Sequence, residues 1–250
     1  MTSATGHWQS LEIAGHACHA YEPAEPSPHG YAVLYLHCVG AVPLAEHPAF
    51  ERLFDQYGLR CLAPVTGESW WTDRVSPQFD PAKSAERFLL DDVLPWLAEQ
   101  WAVQPPRIGL LGVSMGGQGA LKLAYKYPDR FPVAAAISPA IDYQQWVETG
   151  DPHLCAQYPD PEAARQDTAT LHIHPLNWPR NQWFCCDPAD ELWHDGGDRL
   201  HMKLYSLGVP HTCDLETTAG GHSWQYYEHM APAAVKFVHE SLESERRRVV

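Results

Sequence analysis

The run Ile108-Gly109-Leu110-Leu111-Gly112-Val113-Ser114-Met115-Gly116-Gly117-Gln118-Gly119-Ala120 constrains the fold more than any other stretch of the chain. Its first half is apolar or glycine throughout and reads as a strand buried on both faces, since a half-exposed strand would alternate with polar residues. It ends in Gly-x-Ser-x-Gly, and helix-forming residues follow at once, from Ala120 to Tyr127. A serine on such a strand-to-helix turn is held in a strained backbone conformation, with its hydroxyl pushed above the sheet edge. A Cβ at position 112 or 116 would crowd the turn. The N–H of Met115 points from the helix start to where an oxyanion would form, and the helix dipole favours negative charge there. The five-residue string also arises in ordinary glycine-rich turns, so its weight comes from the strand before it and the helix after it.

Around this turn, short apolar runs alternate with stretches of helical periodicity. Trp8 to Tyr21 reads as an edge strand or hairpin, and Tyr31–Leu36, Leu59–Val65, Phe131–Ile137, Gln182–Cys186 and His211–Thr217 as further strands. Helices are expected over His47–Tyr57, closed by Gly58, and over Ser84–Trp101, Gly196–Leu207 and Trp224–Leu242. Residues 142–180, rich in Pro, Asp, Gln and His, read as an irregular excursion over the active-site end of the sheet, with short helices as an option, and Glu243–Val250 as a frayed charged tail. With no repeat and no long linker, the expectation is a single α/β domain over residues 1–250, a mostly parallel central sheet with helices on both faces.

Composition narrows the function. A formal charge of −14 argues against nucleic acid or an anionic membrane surface as partner. No apolar run reaches the length of a membrane span. Met1–Ser10 is polar, and the seven cysteines (18, 38, 61, 155, 185, 186 and 213) are odd in number and scattered. They read as free thiols in a reducing, cytoplasmic compartment.

A serine hydroxyl is a poor nucleophile until a base takes its proton, and the base needs an orienting carboxylate. In this architecture the partners follow in the order Ser, acid, His. Of the late histidines, His229 and His239 fall on the closing helix and His211 precedes the last strand. His222, in Gly220-Gly221-His222-Ser223-Trp224, occupies a flexible loop between the last strand and that helix, and is the candidate base. The loop after Gln182–Cys186 carries Asp187, Asp190 and Glu191. Asp190 is the preferred acid and Glu191 the reserve, with loop or capping roles for the others. Trp70, Trp71, Tyr143 and Trp146 follow strands at the end of the sheet where ligands bind, and are candidates to line an acyl or aromatic pocket; a role in simply covering the core weighs about equally.

The extended elbow from Gly112 to Ala120, the Asp190-Glu191-Leu192 segment and Gly220-Gly221-His222-Ser223-Trp224 together resemble the Putative esterase family of α/β-hydrolases. That group includes S-formylglutathione hydrolase (esterase D), feruloyl-type esterases and mycolyltransferases. The likeness runs from about Tyr31 to Val238. It implies the α/β-hydrolase fold and a serine hydrolase acting on a small-molecule carboxylic ester or thioester. Ser114, Asp190 and His222 take the nucleophile, acid and base positions, and Met115 with Cys38 or Val39 the oxyanion donors. Many members have His-Gly after the strand that supplies the second donor; this chain has His37-Cys38. Acyl transfer by the same residues is one alternative, and a non-catalytic binding protein on a hydrolase fold is another.

Other chemistry-bearing residues receive plainer readings. His172-x-His174 and the pair His16 and His19 lack a third ligand at a completing spacing, so no metal site is expected. Cys185-Cys186 read as two small core residues on opposite faces of a strand. No phosphate-binding loop or dinucleotide fingerprint is present, and no cofactor is expected.

Overall fold

The structure, a computed structural model, describes residues 5–248. Ala14 and Gly15, both at positive φ, turn β1 (His7–Ile13) back into β2 (His16–Glu22). The strands that follow are β3 (Ala32–Leu36), β4 (Arg60–Pro64), β5 (Ile108–Val113), β6 (Val133–Ile137), β7 (Asn181–Cys185) and β8 (Thr212–Asp214). They form one sheet in the order β1-β2-β4-β3-β5-β6-β7-β8. β2 runs antiparallel to both of its neighbours, and every pairing from β4 to β8 is parallel. The expected mostly parallel sheet is therefore present, with β5 flanked by β3 and β6.

Helices cover both faces. On one lie α1 (Pro48–Tyr57) and α9 (Trp224–Arg247), whose Phe50, Phe54, Val235 and Val238 share a core with Leu111 and Val113 of β5. The opposite face of β5, Ile108 and Leu110, packs with α2 (Ala85–Phe88), α3 (Leu94–Trp101) and α4 (Met115–Lys126). The period-2 alternation of one apolar strand thus serves two cores, which is why the sequence shows no polar residue in it. Gly58 closes α1 in the left-handed conformation, and the Ser84 hydroxyl caps α2 by accepting from the Arg87 N–H at 3.1 Å. A π-helical turn, Leu89–Val93, joins α2 to α3.

Residues 142–180 are more ordered than their composition suggests. They contain α5 (Gln144–Glu148), α6 (Pro152–Gln157) and α7 (Pro161–Arg165). The Asp151 and Asp160 carboxylates accept from the first-turn amides of α6 and α7, and a proline follows each at the first helical position. Asp-Pro here starts helices rather than turns. The excursion is bound to α4 by an ion pair whose lysine is fully buried: Lys122 Nζ lies 2.7 Å from Oδ2 of the partly buried Asp167, which also accepts from the Tyr158 hydroxyl at 2.5 Å. Burial lowers the Lys122 pKa, and Asp167 opposes the shift. After α8 (His194–Ser206) and β8 the chain closes with α9. Among the described residues no helix is long and apolar enough to cross a membrane.

The expectation of a frayed tail is corrected over Glu243–Arg247, which continues α9; residues 249–250 lie outside the described residues. Glu245 is buried and receives Arg180 Nη2 at 2.5 Å and Asn181 Nδ2 at 2.9 Å, while the Tyr31 hydroxyl donates to Glu243 at 2.7 Å. The two carboxylates of this segment are paired inward, while Arg246 and Arg247 are exposed. Burial works against ionisation of Glu243, but Tyr31 and Arg246 outweigh it and hold the pKa down at about 2, against an ordinary 4.5. A depressed carboxylate contributes stability that is complete above its unfolded pKa and lost as pH falls through the folded one. The stability advantage of the wild type over Glu243→Gln is therefore expected to shrink between pH 4.5 and 2, measured by urea unfolding at each pH. A constant difference across that window would remove Glu243 as an anchor of the tail.

Candidate active site

Three loops at the carboxyl ends of β5, β7 and β8 bring the site together. Ser114 sits between β5 and α4 at φ 53°, ψ −118°, a conformation costing a residue with a Cβ about 1–3 kcal/mol. Its backbone is held on both sides. The N–H donates to Ile137 of β6 at 2.9 Å, and the carbonyl accepts from Gln118 and Ala140, each at 3.1 Å. The turn closes against the end of β3 so tightly that a Cβ on Gly116 would lie 1.9 Å from the Leu36 carbonyl oxygen. A Cβ on Gly112 would lie 2.1 Å from the Gly116 oxygen.

Ser114 Oγ lies 2.8 Å from His222 Nε2, and His222 Nδ1 lies 2.7 Å from Asp190 Oδ2. Facing a buried carboxylate, Nδ1 carries the proton, which leaves the Nε2 lone pair for the serine hydroxyl. Asp190 is itself oriented: Oδ1 accepts from the Leu192 and Trp193 amides at 3.2 and 3.1 Å, and the Cys186 thiol donates to Oδ2 at 3.5 Å. Cys186 thus does more than fill the core.

The neighbouring acids separate cleanly. Glu191 is exposed. Asp187 is fully buried and does more than begin a turn. Oδ1 accepts from Ala189 at 2.7 Å, while Oδ2 accepts from Ala219 at 2.7 Å and Gly221 at 2.8 Å, next to His222. Burial pushes its pKa up, but these backbone N–H groups outweigh burial and leave it below the usual value. Asp187 therefore ties the loop after β7 to the loop that carries His222. Sequence reasoning missed this because its bonding partners are amides 32 and 34 residues away. The other late histidines stand elsewhere: His239 stacks on Tyr57 of α1, His229 is exposed on α9, and His211 adjoins β8.

Ser114 and His222 face a cavity of about 250 Å³, and Asp190 is buried behind them. Cys38 and Val39 line it beside Ser114, and Trp146, Trp193, Trp224 and Tyr227 form its aromatic walls, with Leu192 at 54% exposure on the rim. Trp146 stands where its sequence position suggested. Trp70, Trp71 and Tyr143 do not line the cavity; all three are fully buried. Both tryptophans sit at positive φ (56° and 52°), in a turn that carries them into the core. Trp71 Nε1 donates to the His37 carbonyl at 3.1 Å, and Trp70 packs between Tyr143 and Trp146. They support the cavity from behind. Trp193, Trp224 and Tyr227 were overlooked because they belong to the loop after β7 and the first turn of α9 rather than to the earlier loops.

His37 fixes the strand end that carries Cys38. Its Nε2 accepts the Thr66 amide at 3.0 Å, so Nδ1 carries the proton toward the Cys38 carbonyl at 2.8 Å. Burial pushes its pKa down to about 4, keeping the ring neutral. The histidines once considered for metal are otherwise engaged, His16 with Asp80, His19 with Ser10, His172 with Asp167 and His174 with the Leu176 amide. A different set does meet, contrary to expectation: His201, His211 and Cys213, outside this cavity. Spacing along the chain hid it because His201 belongs to α8 and the other two to the β8 region.

A strained serine, a histidine and a buried carboxylate, joined in that order across a parallel sheet, are the arrangement of the α/β-hydrolase class of serine hydrolases. The family model described as Putative esterase matches residues 61–238, and the chain belongs to that family. It is 32% identical over 219 residues to the diacylglycerol acyltransferase/mycolyltransferase Ag85A of Mycobacterium ulcerans, an alignment covering 72% of this chain and 63% of that protein. Among solved structures, the fluorophosphonate-binding serine hydrolase FphF of Staphylococcus aureus superposes with a TM-score of 0.75 at 16% identity, covering 94% of this chain and 99% of the other. An S-formylglutathione hydrolase from Agrobacterium tumefaciens gives 0.75 at 17% identity, covering 97% and 98%. At these identities the superpositions establish the α/β-hydrolase fold.

The Asp187 bridge can be tested without an activity assay. An asparagine cannot accept at both ends, so Asp187→Asn loses charge-assisted bonds worth about 1.5–3 kcal/mol each. Amide exchange at Ala219 and Gly221 is expected to quicken by about tenfold or more, which corresponds to roughly 1.4 kcal/mol. Unchanged protection at both amides would mean that the His222 loop holds itself.

Proposed function

We propose that the protein is a carboxylic ester hydrolase working through an acyl-enzyme on Ser114. The observation that carries this reading is the unbroken hydrogen-bonded line from Ser114 through His222 to Asp190, opening onto a cavity. As Ser114 Oγ attacks the acyl carbon, its proton passes to His222 Nε2, and Asp190 stabilises the imidazolium. The Met115 N–H, at the start of α4, and the N–H of Cys38 or Val39 face the developing oxyanion. The His222 proton then goes to the departing alcohol or thiol, leaving the acyl group on the serine. Water, activated by the same imidazole, attacks the acyl-enzyme and releases the acid.

The substrate reading follows from size and lining. About 250 Å³ lies below the roughly 300–1,000 Å³ of sites that take drug-sized ligands, and aromatic walls favour a short or compact aromatic acyl group. A second reading, acyl transfer to an alcohol in place of water, is supported by the similarity to the mycobacterial acyltransferase and shares the first half of the reaction. The seven free thiols support a reducing, cytoplasmic setting.

Fluorophosphonate labelling separates an enzyme from a binding protein, since only an activated serine reacts. On an ester that the wild type turns over, Ser114→Ala is expected to lower kcat by about 10⁴–10⁶ and Asp190→Asn by about 10³–10⁴, with little change in the circular dichroism spectrum. Glu191→Gln should cost less than about tenfold. Retention of more than about a tenth of the rate in Ser114→Ala would assign the chemistry to another group. Across nitrophenyl esters of graded length, kcat/KM should peak at short or aromatic acyl groups and fall with long chains. A rising series would place the acyl group outside this cavity.

A further inference from the structure

Outside the catalytic cavity, one group of soft ligands converges near the edge strand of the sheet. His211 and Cys213 stand two residues apart on and beside β8, which sends both side chains to the same face. His201 projects toward them from α8. Its Nδ1 lies 2.8 Å from His211 Nε2 and 3.3 Å from Cys213 Sγ, and the three ligand atoms all lie within 4.8 Å of one another. The group is partly buried.

The orientation of His211 is the second observation. Its Nδ1 lies 2.9 Å from the Val209 carbonyl, an acceptor only, so that nitrogen carries the proton and Nε2 turns its lone pair into the cluster. The Phe184 ring lies parallel to it, 9° between planes, and fixes the imidazole from one side. A backbone carbonyl on the outer nitrogen is how proteins commonly set the tautomer of a metal-binding histidine. The cluster opens onto a pocket lined by His201, Cys213 and Asp198, and Asp198 lies three residues before His201 on the same helix. Solvent or a carboxylate thus reaches the remaining side.

We infer that His201, His211 and Cys213 form a site for a zinc-type divalent ion, with water or Asp198 completing a tetrahedron, and that the bound ion clips the edge strand β8 to α8. Two imidazoles and a thiolate select zinc over hard cations such as magnesium or calcium. Ligands at about 2.0–2.1 Å (nitrogen) and 2.3 Å (sulfur) in a tetrahedron stand about 3.3–3.6 Å apart, so the cluster needs to open by roughly half an ångström or less along its two short contacts. On binding, His201 moves its Nδ1 proton to Nε2 and remains neutral, and the Cys213 thiol gives its proton to solvent. One proton is released per ion. Since β8 spans three residues and leads into the segment carrying His222, a clip here steadies that segment from outside the catalytic centre.

The test uses tag-free full-length protein stripped with a chelator. Titration with Zn²⁺ by calorimetry should give one equivalent, and Co²⁺ should produce a thiolate-to-metal charge-transfer band in the near ultraviolet. A hundredfold excess of Zn²⁺ over Kd should raise Tm by about 5–10 °C. Cys213→Ser, which replaces only the sulfur, should abolish the cobalt band and weaken zinc at least about tenfold; His201→Gln, on a partly exposed helix face, should weaken zinc similarly. Circular dichroism checks that both variants fold. Absence of stoichiometric zinc, a cobalt spectrum without the thiolate band, or equal affinity in wild type and both folded variants would overturn the site.

Discussion

The close approach of β3, β5 and the start of α4 governs the rest of the molecule. With Gly112 and Gly116 lacking Cβ atoms, the β5–α4 turn presses against the Leu36 carbonyl, and Ser114 is forced to a positive φ. Three backbone hydrogen bonds from β6, α4 and the following loop hold it there. Their combined worth, about 1 kcal/mol each, offsets a strain of about 1–3 kcal/mol. The same packing puts the amide end of α4 beside Cys38 and Val39. A larger residue at 116 would move helix and strand apart and separate these elements together.

The two aspartates after β7 divide one task. Asp190 is aimed by two amides and a thiol toward His222, whereas Asp187 is spent on amides of the His222 loop. One orients the ring and the other positions the backbone that bears it. A loop with two glycines at positive φ, Gly220 and Gly221, has little stiffness of its own, so its geometry depends on a carboxylate brought from the neighbouring strand.

The excursion after β6 contributes one wall of the cavity, Trp146, and is tied down behind it. Trp70 and Tyr143 back that wall, and Tyr143 reaches the Lys122–Asp167 pair through the Tyr158 hydroxyl. Such an ion pair adds little net stability, but losing Asp167 strands the buried Lys122 charge, so the pair favours a single docking of the excursion. The shape of the cavity thereby depends on α4, the same helix that begins beside the nucleophile.

What the sequence by itself determined was local and periodic. The buried strand, the elbow and the helix after it were legible in thirteen consecutive residues, because burial, glycine and strand-to-helix geometry leave few other solutions. The order serine, acid, histidine followed from topology, and the structure joins those three residues. Tertiary structure decided which way side chains face across distance. Trp70 and Trp71 turn inward because their backbone enters the left-handed region, which nothing in Gly-Glu-Ser-Trp-Trp announces. Asp187 braces amides more than thirty residues on, and His201 meets His211 and Cys213 only when α8 packs beside β8. Periodicity reports the face a residue occupies on its own element; which groups meet there is settled when the elements pack, and that information is spread over the whole chain.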